Sequence, residues 1–187
     1  MRIGIDIDDT MTDSTKVVRE YINKYDECYC DDKHLINNLE SIIRGFLVDE
    51  TTKNFFQDHS LEMGFDIKLK DNVKYIIDKL RDEGNEIYII TARSDKFYRN
   101  AQELCKDYLK KHDINYDKLI TSQTFKVETC KNENIDLMID DAIDTVENLN
   151  KEGIKSILFT SEINKDKETH VKRVSNWLEL YDAIHNL

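Results

Sequence analysis

Five short apolar segments alternate along the chain with longer amphipathic ones, and this alternation constrains the fold more than any other feature of the sequence. The apolar segments are residues 2–8, 86–90, 118–122, 136–140 and 155–160. Between them, apolar residues recur at helical spacing, as in Val73, Ile76, Ile77 and Leu80. Short strands that alternate with helices are typical of an α/β fold with a parallel sheet. The sequence therefore predicts a Rossmann-like three-layer sandwich whose parallel sheet has about five strands.

One long segment, residues 14–67, contains no clear strand and interrupts the alternation. Its apolar residues fall at helical spacing, first around Tyr21 and later around Ile42. We interpret this segment as a small helical cap inserted after the first strand. Residues 1–13 and 68–187 are then expected to form the core domain.

Charge and hydropathy exclude several classes of partner. The formal net charge is −11, so the chain has no excess of basic residues with which to hold a long nucleic acid. No apolar run approaches the roughly 20 residues that a helix needs to cross a bilayer, and we expect no membrane partner. The first strand begins at the amino terminus without a basic and apolar leader, which predicts a cytoplasmic protein.

Polar side chains lie at or after the carboxyl ends of four predicted strands. They are Asp6 and Asp8 at the first strand, Thr91 at the second, Lys126 after the third, and Asp140 and Asp141 at the fourth. In open α/β sheets, ligands bind outside these strand ends. The sequence therefore predicts that these side chains meet at one edge of the sheet.

The acidic residues in this set indicate phosphoryl chemistry that depends on a metal ion. Asp6 and Asp8 are two residues apart on an extended segment, so their carboxylates project to the same side. Such a pair can act as nucleophile and general acid/base. Asp141 adds a third charge, and two charges about 4 Å apart repel by roughly 4 kcal/mol at an effective dielectric of 20. Oxygen ligands suit Mg²⁺, while Thr91 and Lys126 supply a hydroxyl and a cation for phosphoryl oxygens.

In these four motifs the sequence resembles the phosphatases of the haloacid dehalogenase (HAD) superfamily. Their first motif, DxDx(T/V) at the end of a strand, is similar to IGIDIDDTMTD at residues 3–13. The second motif resembles IYIITAR with Thr91, and the third resembles SQTFKVETC with Lys126, for which Lys131 is a competing candidate. The fourth, an acidic pair, resembles LMIDDAID at residues 137–144. The insertion between the first two motifs lies where these proteins carry a type-one cap.

The resemblance implies a role for each residue. Asp6 attacks phosphorus and forms an aspartyl-phosphate, while Asp8 first protonates the leaving oxygen and then activates water. Thr91 and Lys126 hold the phosphoryl oxygens. The implied Mg²⁺ ligands are the Asp6 carboxylate, the Asp8 backbone carbonyl and Asp141, with Asp140 assisting from nearby.

Within the superfamily, the chain is most similar to the 5′(3′)-deoxyribonucleotidases, on the cues of its length, the TAR sequence at residues 91–93, and VKRVSNWLELY at residues 171–181. This implies a nucleoside monophosphate as the small phosphorylated substrate. A sugar phosphate or another small phosphometabolite is an alternative substrate. A phospho-accepting, receiver-like signalling domain is the alternative from another class. The candidate substrate contacts are Phe46, Phe55, Phe56 and Arg93, although the aromatic residues also suit the core of the cap.

Overall fold

The computed structural model describes residues 1–30, 32–44, 49–98 and 100–187. The strands are β1 (Arg2–Ile5), β2 (Glu86–Ile90), β3 (Lys118–Ile120), β4 (Leu137–Asp140), β5 (Lys155–Phe159) and β6 (Arg173–Val174). The helices are α1 (Ser14–Tyr29), α2 (His34–Asn37), α3 (Leu39–Ile43), α4 (Glu50–Asp66), α5 (Val73–Asp82), α6 (Ala101–Lys111), α7 (Lys126–Asn132), α8 (Ile143–Lys151) and α9 (Trp177–His185).

The strands form one parallel sheet in the order β3-β2-β1-β4-β5-β6. This confirms the predicted α/β fold, with one more strand than expected. The added strand, β6, has only two residues and lies at an edge, and two residues are too few for a periodic pattern to reveal. The strand order reverses between β1 and β4, and a crevice at such a point is where α/β sheets bind ligands.

The sheet is buried on both faces, which explains its near-continuous apolar strands. Ile3 and Ile5 pack with the apolar side of α5, whose predicted residues are all buried. On the other face, Gly4 allows close contact, because a Cβ there would lie 2.6 Å from the sulfur of Met138. The absence of a side chain at Gly4 therefore leaves room for the Met138 sulfur beside β1.

The described residues of segment 14–67 form α1 to α4, which share an apolar cluster separate from that of the sheet. The cluster is built from Val18, Ile22, Leu35, Leu39, Ile42, Phe55, Phe56 and Met63. The Asp49 side chain begins α4 by accepting a hydrogen bond from the Thr52 N–H at 2.8 Å. These helices agree with a helical cap, and the exact division between cap and core stays a prediction. None of the described helices combines the length and apolar character needed to cross a bilayer.

Candidate active site

The ends of β1 and β4 meet at a buried lysine that begins α7. Asp6 directly follows β1, and its N–H donates to the Ile139 carbonyl of β4 at 3.0 Å. Lys126 begins α7, just after β3, and its ammonium donates to Asp6 Oδ1 at 2.5 Å and Asp140 Oδ2 at 2.6 Å. The three side chains are only 4, 7 and 2% exposed, in the order Lys126, Asp6 and Asp140. One cation therefore joins two carboxylates from different strands.

Burial and neighbouring charges perturb the titration of these groups. Burial raises the pKa of the Asp6 carboxyl to about 7, with Asp140 and Asp8 adding to the rise and Lys126 opposing it. Burial acts to lower the pKa of Lys126, but the charges of Asp140 and Asp6 outweigh it and hold that pKa above its usual value. Lys126 is therefore a cation beside the candidate nucleophile at neutral pH.

Asp8 is partly exposed to solvent and is held by Arg93. Its carboxylate accepts hydrogen bonds from Arg93 Nε at 2.8 Å, Arg93 Nη2 at 2.7 Å and the Ser14 hydroxyl at 2.5 Å. The Asp8 side chain is 32% exposed, whereas that of Arg93 is 1% exposed. Burial acts to raise the pKa of Asp8, but the charge and hydrogen bonds of Arg93 outweigh it and lower that pKa. Asp8 is thus a carboxylate in the resting protein.

Asp141, the residue after β4, lies near a further acid that the sequence motif did not single out. This acid is Asp9, whose backbone is left-handed at φ 57° and whose carboxylate accepts from the Thr15 N–H at 2.9 Å and from the Thr15 hydroxyl. Burial raises the pKa of Asp9 to about 6, and the Thr15 hydrogen bonds oppose the rise. Burial, with the charges of Asp9, Asp140 and Asp6, raises the pKa of Asp141 well above its usual value. Negative charge is therefore concentrated beside Asp141.

Asn164 fixes the backbone at Asp141, a role that no sequence pattern indicated. This fully buried residue of the β5–β6 loop donates its amide to the carbonyls of Asp141 at 2.7 Å and Phe159 at 2.8 Å. Its side-chain oxygen accepts from the Ser161 N–H at 3.1 Å and from Arg173 Nη1 at 2.7 Å. The loop after β5 is thereby tied to the loop after β4.

The oxygen atoms of the candidate ligands suit a hard cation such as Mg²⁺. The candidate ligands Asp6, Asp8, Asp140 and Asp141 all offer oxygen, and within the described ranges no Lys or Arg forms an ion pair with Asp141. A divalent ion beside Asp141 would favour its ionised form and offset the repulsion among these carboxylates. In their present positions, however, no three acidic, His or Cys side chains of the described part are grouped so as to hold an ion. The Mg²⁺ site stays a prediction, supported by the ligand type.

Lys126 contacts the candidate nucleophile, whereas Lys131 lies at the surface, and the phosphate-binding role of Thr91 and Lys126 stays a prediction. Thr91 is fully buried after β2, and its hydroxyl accepts the Arg93 N–H at 3.3 Å, so the hydroxyl proton can still be donated. Lys131 pairs with Glu152 at 2.6 Å, and both side chains are half exposed. The geometry therefore favours Lys126 as the motif-three lysine.

The predicted substrate contacts divide into three groups. Phe55 and Phe56 are buried in the apolar cluster of the cap, where the Phe56 ring lies 4.8 Å from that of Phe97. Arg93 contacts Asp8, as described above. Phe46 lies outside the described residues. Contact of any of the four with a substrate stays a prediction.

A family model and a related protein both match this chain over its whole length. The sequence model of the family described as "5′ nucleotidase, deoxy (Pyrimidine), cytosolic type C protein" (NT5C) matches residues 1–187. A nucleotidase of Clostridium acetobutylicum is 31% identical over 189 residues, which cover 100% of this chain and 95% of the relative.

Two solved structures show the same fold at low sequence identity. A protein described as a predicted phosphatase from Clostridium acetobutylicum superposes with a TM-score of 0.72 at 19% identity, covering 100% of this chain and 98% of that one. A HAD-superfamily hydrolase of subfamily IA from Geobacter sulfurreducens gives a TM-score of 0.63 at 12% identity, with coverage of 98 and 95%. At these identities the likeness concerns the fold alone.

Proposed function

The chain belongs to the cytosolic type C family of 5′ nucleotidases (NT5C), within the HAD-superfamily phosphatases, and from this premise we propose that it hydrolyses nucleoside monophosphates. The proposed substrates are 5′- and 3′-(deoxy)ribonucleotides, which release inorganic phosphate. The observation that carries the proposal is the buried contact of Lys126 with Asp6 and Asp140, which puts a fixed cation beside a candidate nucleophile.

In the first step, Asp6 attacks phosphorus. Lys126 binds Asp6 Oδ1, and no described residue donates a hydrogen bond to Oδ2, so this second oxygen is available as the nucleophile. Bond formation between Asp6 and phosphorus accompanies cleavage of the bond to the nucleoside oxygen, which takes a proton from Asp8. The lowered pKa of Asp8 is compatible with this role, because the negative charge of a bound phosphate raises the pKa of a neighbouring carboxyl.

In the second step, Asp8 removes a proton from a water molecule. The water oxygen attacks phosphorus, and the bond between phosphorus and Asp6 breaks, which releases inorganic phosphate and restores the Asp6 carboxylate. Lys126 and the Thr91 hydroxyl would stabilise charge on the phosphoryl oxygens. Mg²⁺ held by Asp6, the Asp8 carbonyl and Asp141, with Asp140 nearby, would supply further neutralisation of that charge.

The test is phosphate release from a panel of 5′- and 3′-nucleotides, deoxynucleotides, sugar phosphates and p-nitrophenyl phosphate in millimolar Mg²⁺. We expect turnover of nucleotides, and loss of all turnover in Asp6→Asn and Asp8→Asn. Asp113→Asn, which changes an aspartate that is 81% exposed, serves as the matched control and should remain active. A preference for sugar phosphates would show that the proposed substrate class is wrong. Near-normal activity of Asp6→Asn would refute Asp6 as the nucleophile.

A further inference from the structure

The bidentate contact between Arg93 and Asp8 fixes the orientation of the carboxylate. Nε and Nη2 of the guanidinium each bind a different oxygen of Asp8, at 2.8 and 2.7 Å, and the planar fork of Arg matches the carboxylate plane. The Ser14 hydroxyl adds a third hydrogen bond, to Oδ1. With both oxygens engaged, rotation of the carboxylate about its own axis would break at least one of these bonds.

Arg93 is itself held in place by its surroundings. Its carbonyl accepts the Ser122 N–H at 2.8 Å, which fixes the backbone after β2. The guanidinium carbon lies 5.6 and 5.5 Å from the ring centroids of Tyr98 and Tyr108. Tyr108 in turn donates its hydroxyl to the Ile67 carbonyl at 2.9 Å. The orientation of Asp8 is therefore set by packed elements of the core.

Arg93 is less accessible to solvent than the carboxylate that it binds. Arg93 is almost fully buried, while about a third of the Asp8 side chain reaches solvent. A ligand in solvent has more access to Asp8 than to Arg93. Because both oxygens of Asp8 already accept hydrogen bonds from Arg93, a direct contact with substrate is unnecessary for a role of Arg93 through Asp8.

We propose that Arg93 is a positioning residue, which aims the Asp8 carboxylate for proton transfer and does not bind the substrate. The inference depends on the proposed function, because it assigns Asp8 to both steps of that reaction. A misaligned carboxylate transfers protons poorly, and a displacement of about 1 Å can cost 100-fold in rate.

The two chemical steps differ in their need for Asp8, and this difference gives a sharp test. The p-nitrophenolate group leaves without help from an acid, so phosphorylation of Asp6 by p-nitrophenyl phosphate does not depend on Asp8. Attack by water still needs Asp8 as a base. With a nucleotide, whose leaving alkoxide must be protonated, both steps depend on Asp8.

The experiment compares the wild-type enzyme and Arg93→Lys in stopped-flow and steady-state assays. For Arg93→Lys we expect a burst of about one p-nitrophenolate per enzyme, followed by steady turnover about 10- to 100-fold slower than wild type. The kcat for nucleotides should fall at least as far, with KM changed less than about threefold. Arg81→Lys is the matched control, because Arg81 also forms a bidentate pair, with Asp117, but is about a third exposed and pairs at the amino end of β3, whereas the candidate site lies at the carboxyl ends of the strands. Its kinetics should equal those of wild type.

Three results would overturn the inference. A raised KM with unchanged kcat would make Arg93 a substrate contact, loss of the burst would place its effect in phosphorylation, and wild-type kinetics would give it no role. If Arg93→Lys does not fold, Arg93→Gln is measured in the same way, since glutamine keeps a donor without a buried charge. Absence of turnover in the wild-type enzyme on every substrate would instead refute the proposed function.

Discussion

Replacement of Lys126 by methionine tests the central contact of the site, and its cost follows from burial. The ammonium is the cation that pairs with both Asp6 and Asp140, and all three side chains are at least nine-tenths buried. Methionine has a similar length, so the change removes charge with little loss of packing. Breaking a buried ion pair by removing one partner costs about 3–5 kcal/mol. We expect the free energy of unfolding to fall by that amount at pH 8, and the melting temperature to fall by about 6–20 °C.

The cost should depend on pH in a direction that the site determines. The pKa of Asp6 is already raised to about 7 with Lys126 present, and loss of the ammonium raises it further. A carboxyl whose folded pKa lies above its unfolded pKa keeps its proton in the folded state, so the stability of the protein falls as pH rises between the two values. The destabilisation by Lys126→Met should therefore be smaller at pH 5.5 than at pH 8.

Urea unfolding of the wild-type protein and of Lys126→Met at pH 5.5 and pH 8 measures how the destabilisation depends on pH. Lys131→Met is the control. Lys131 lies on the same helix, and its ion pair with Glu152 is half exposed, so we expect no measurable change in stability. Only Lys126→Met should also lose phosphatase activity. Equal effects of the two substitutions, or a larger loss of stability at pH 5.5, would refute the reasoning.

Further predictions concern Asn164, Gly4 and the titration of the acidic residues. Asn164→Ala removes a buried amide that forms four side-chain hydrogen bonds. The free energy of unfolding, measured by urea titration, should fall by roughly 3 kcal/mol. A change smaller than the experimental error would contradict the structural role of Asn164. Gly4→Ala, whose Cβ would meet the Met138 sulfur at 2.6 Å, should cost about 1–3 kcal/mol by thermal unfolding, and an unchanged melting temperature would contradict it. Because burial raises the pKa values of Asp6 to about 7 and Asp9 to about 6, metal-free protein should lose stability as pH rises from about 4 to 7. At pH 7, Mg²⁺ at 100 times its Kd should restore about 2.7 kcal/mol, and no shift in melting temperature would count against the metal site.

Much of the fold was predictable because its signals are local. The apolar set from Val73 to Leu80 has helical spacing, and α5 buries all of it. The predicted strands appear in a parallel sheet, since short apolar runs separated by helices have few other ways to bury themselves. The two-residue β6 was missed because so short an element leaves no periodic signal.

The residues of the candidate site could be found from sequence, but their contacts could not. Asp6 and Lys126 are 120 positions apart, and Asp8 and Arg93 are 85 apart. A position at the carboxyl end of a predicted strand indicates that a side chain lies at that edge of the sheet. It does not indicate which other side chain it contacts. Asn164 had no signal at all, because its role depends on two loops that adjoin only in the folded chain.

By itself, then, the amino-acid sequence determined the α/β class, and it predicted a helical insertion and a set of acids, a hydroxyl and an amine at the ends of the strands, since each depends on spacing along the chain. The tertiary structure decided which lysine stands beside Asp6, that Arg93 binds Asp8, and that Phe55 is packed inside the cap. These properties depend on burial and on pairing between distant segments, and such pairs exist only once the chain has folded.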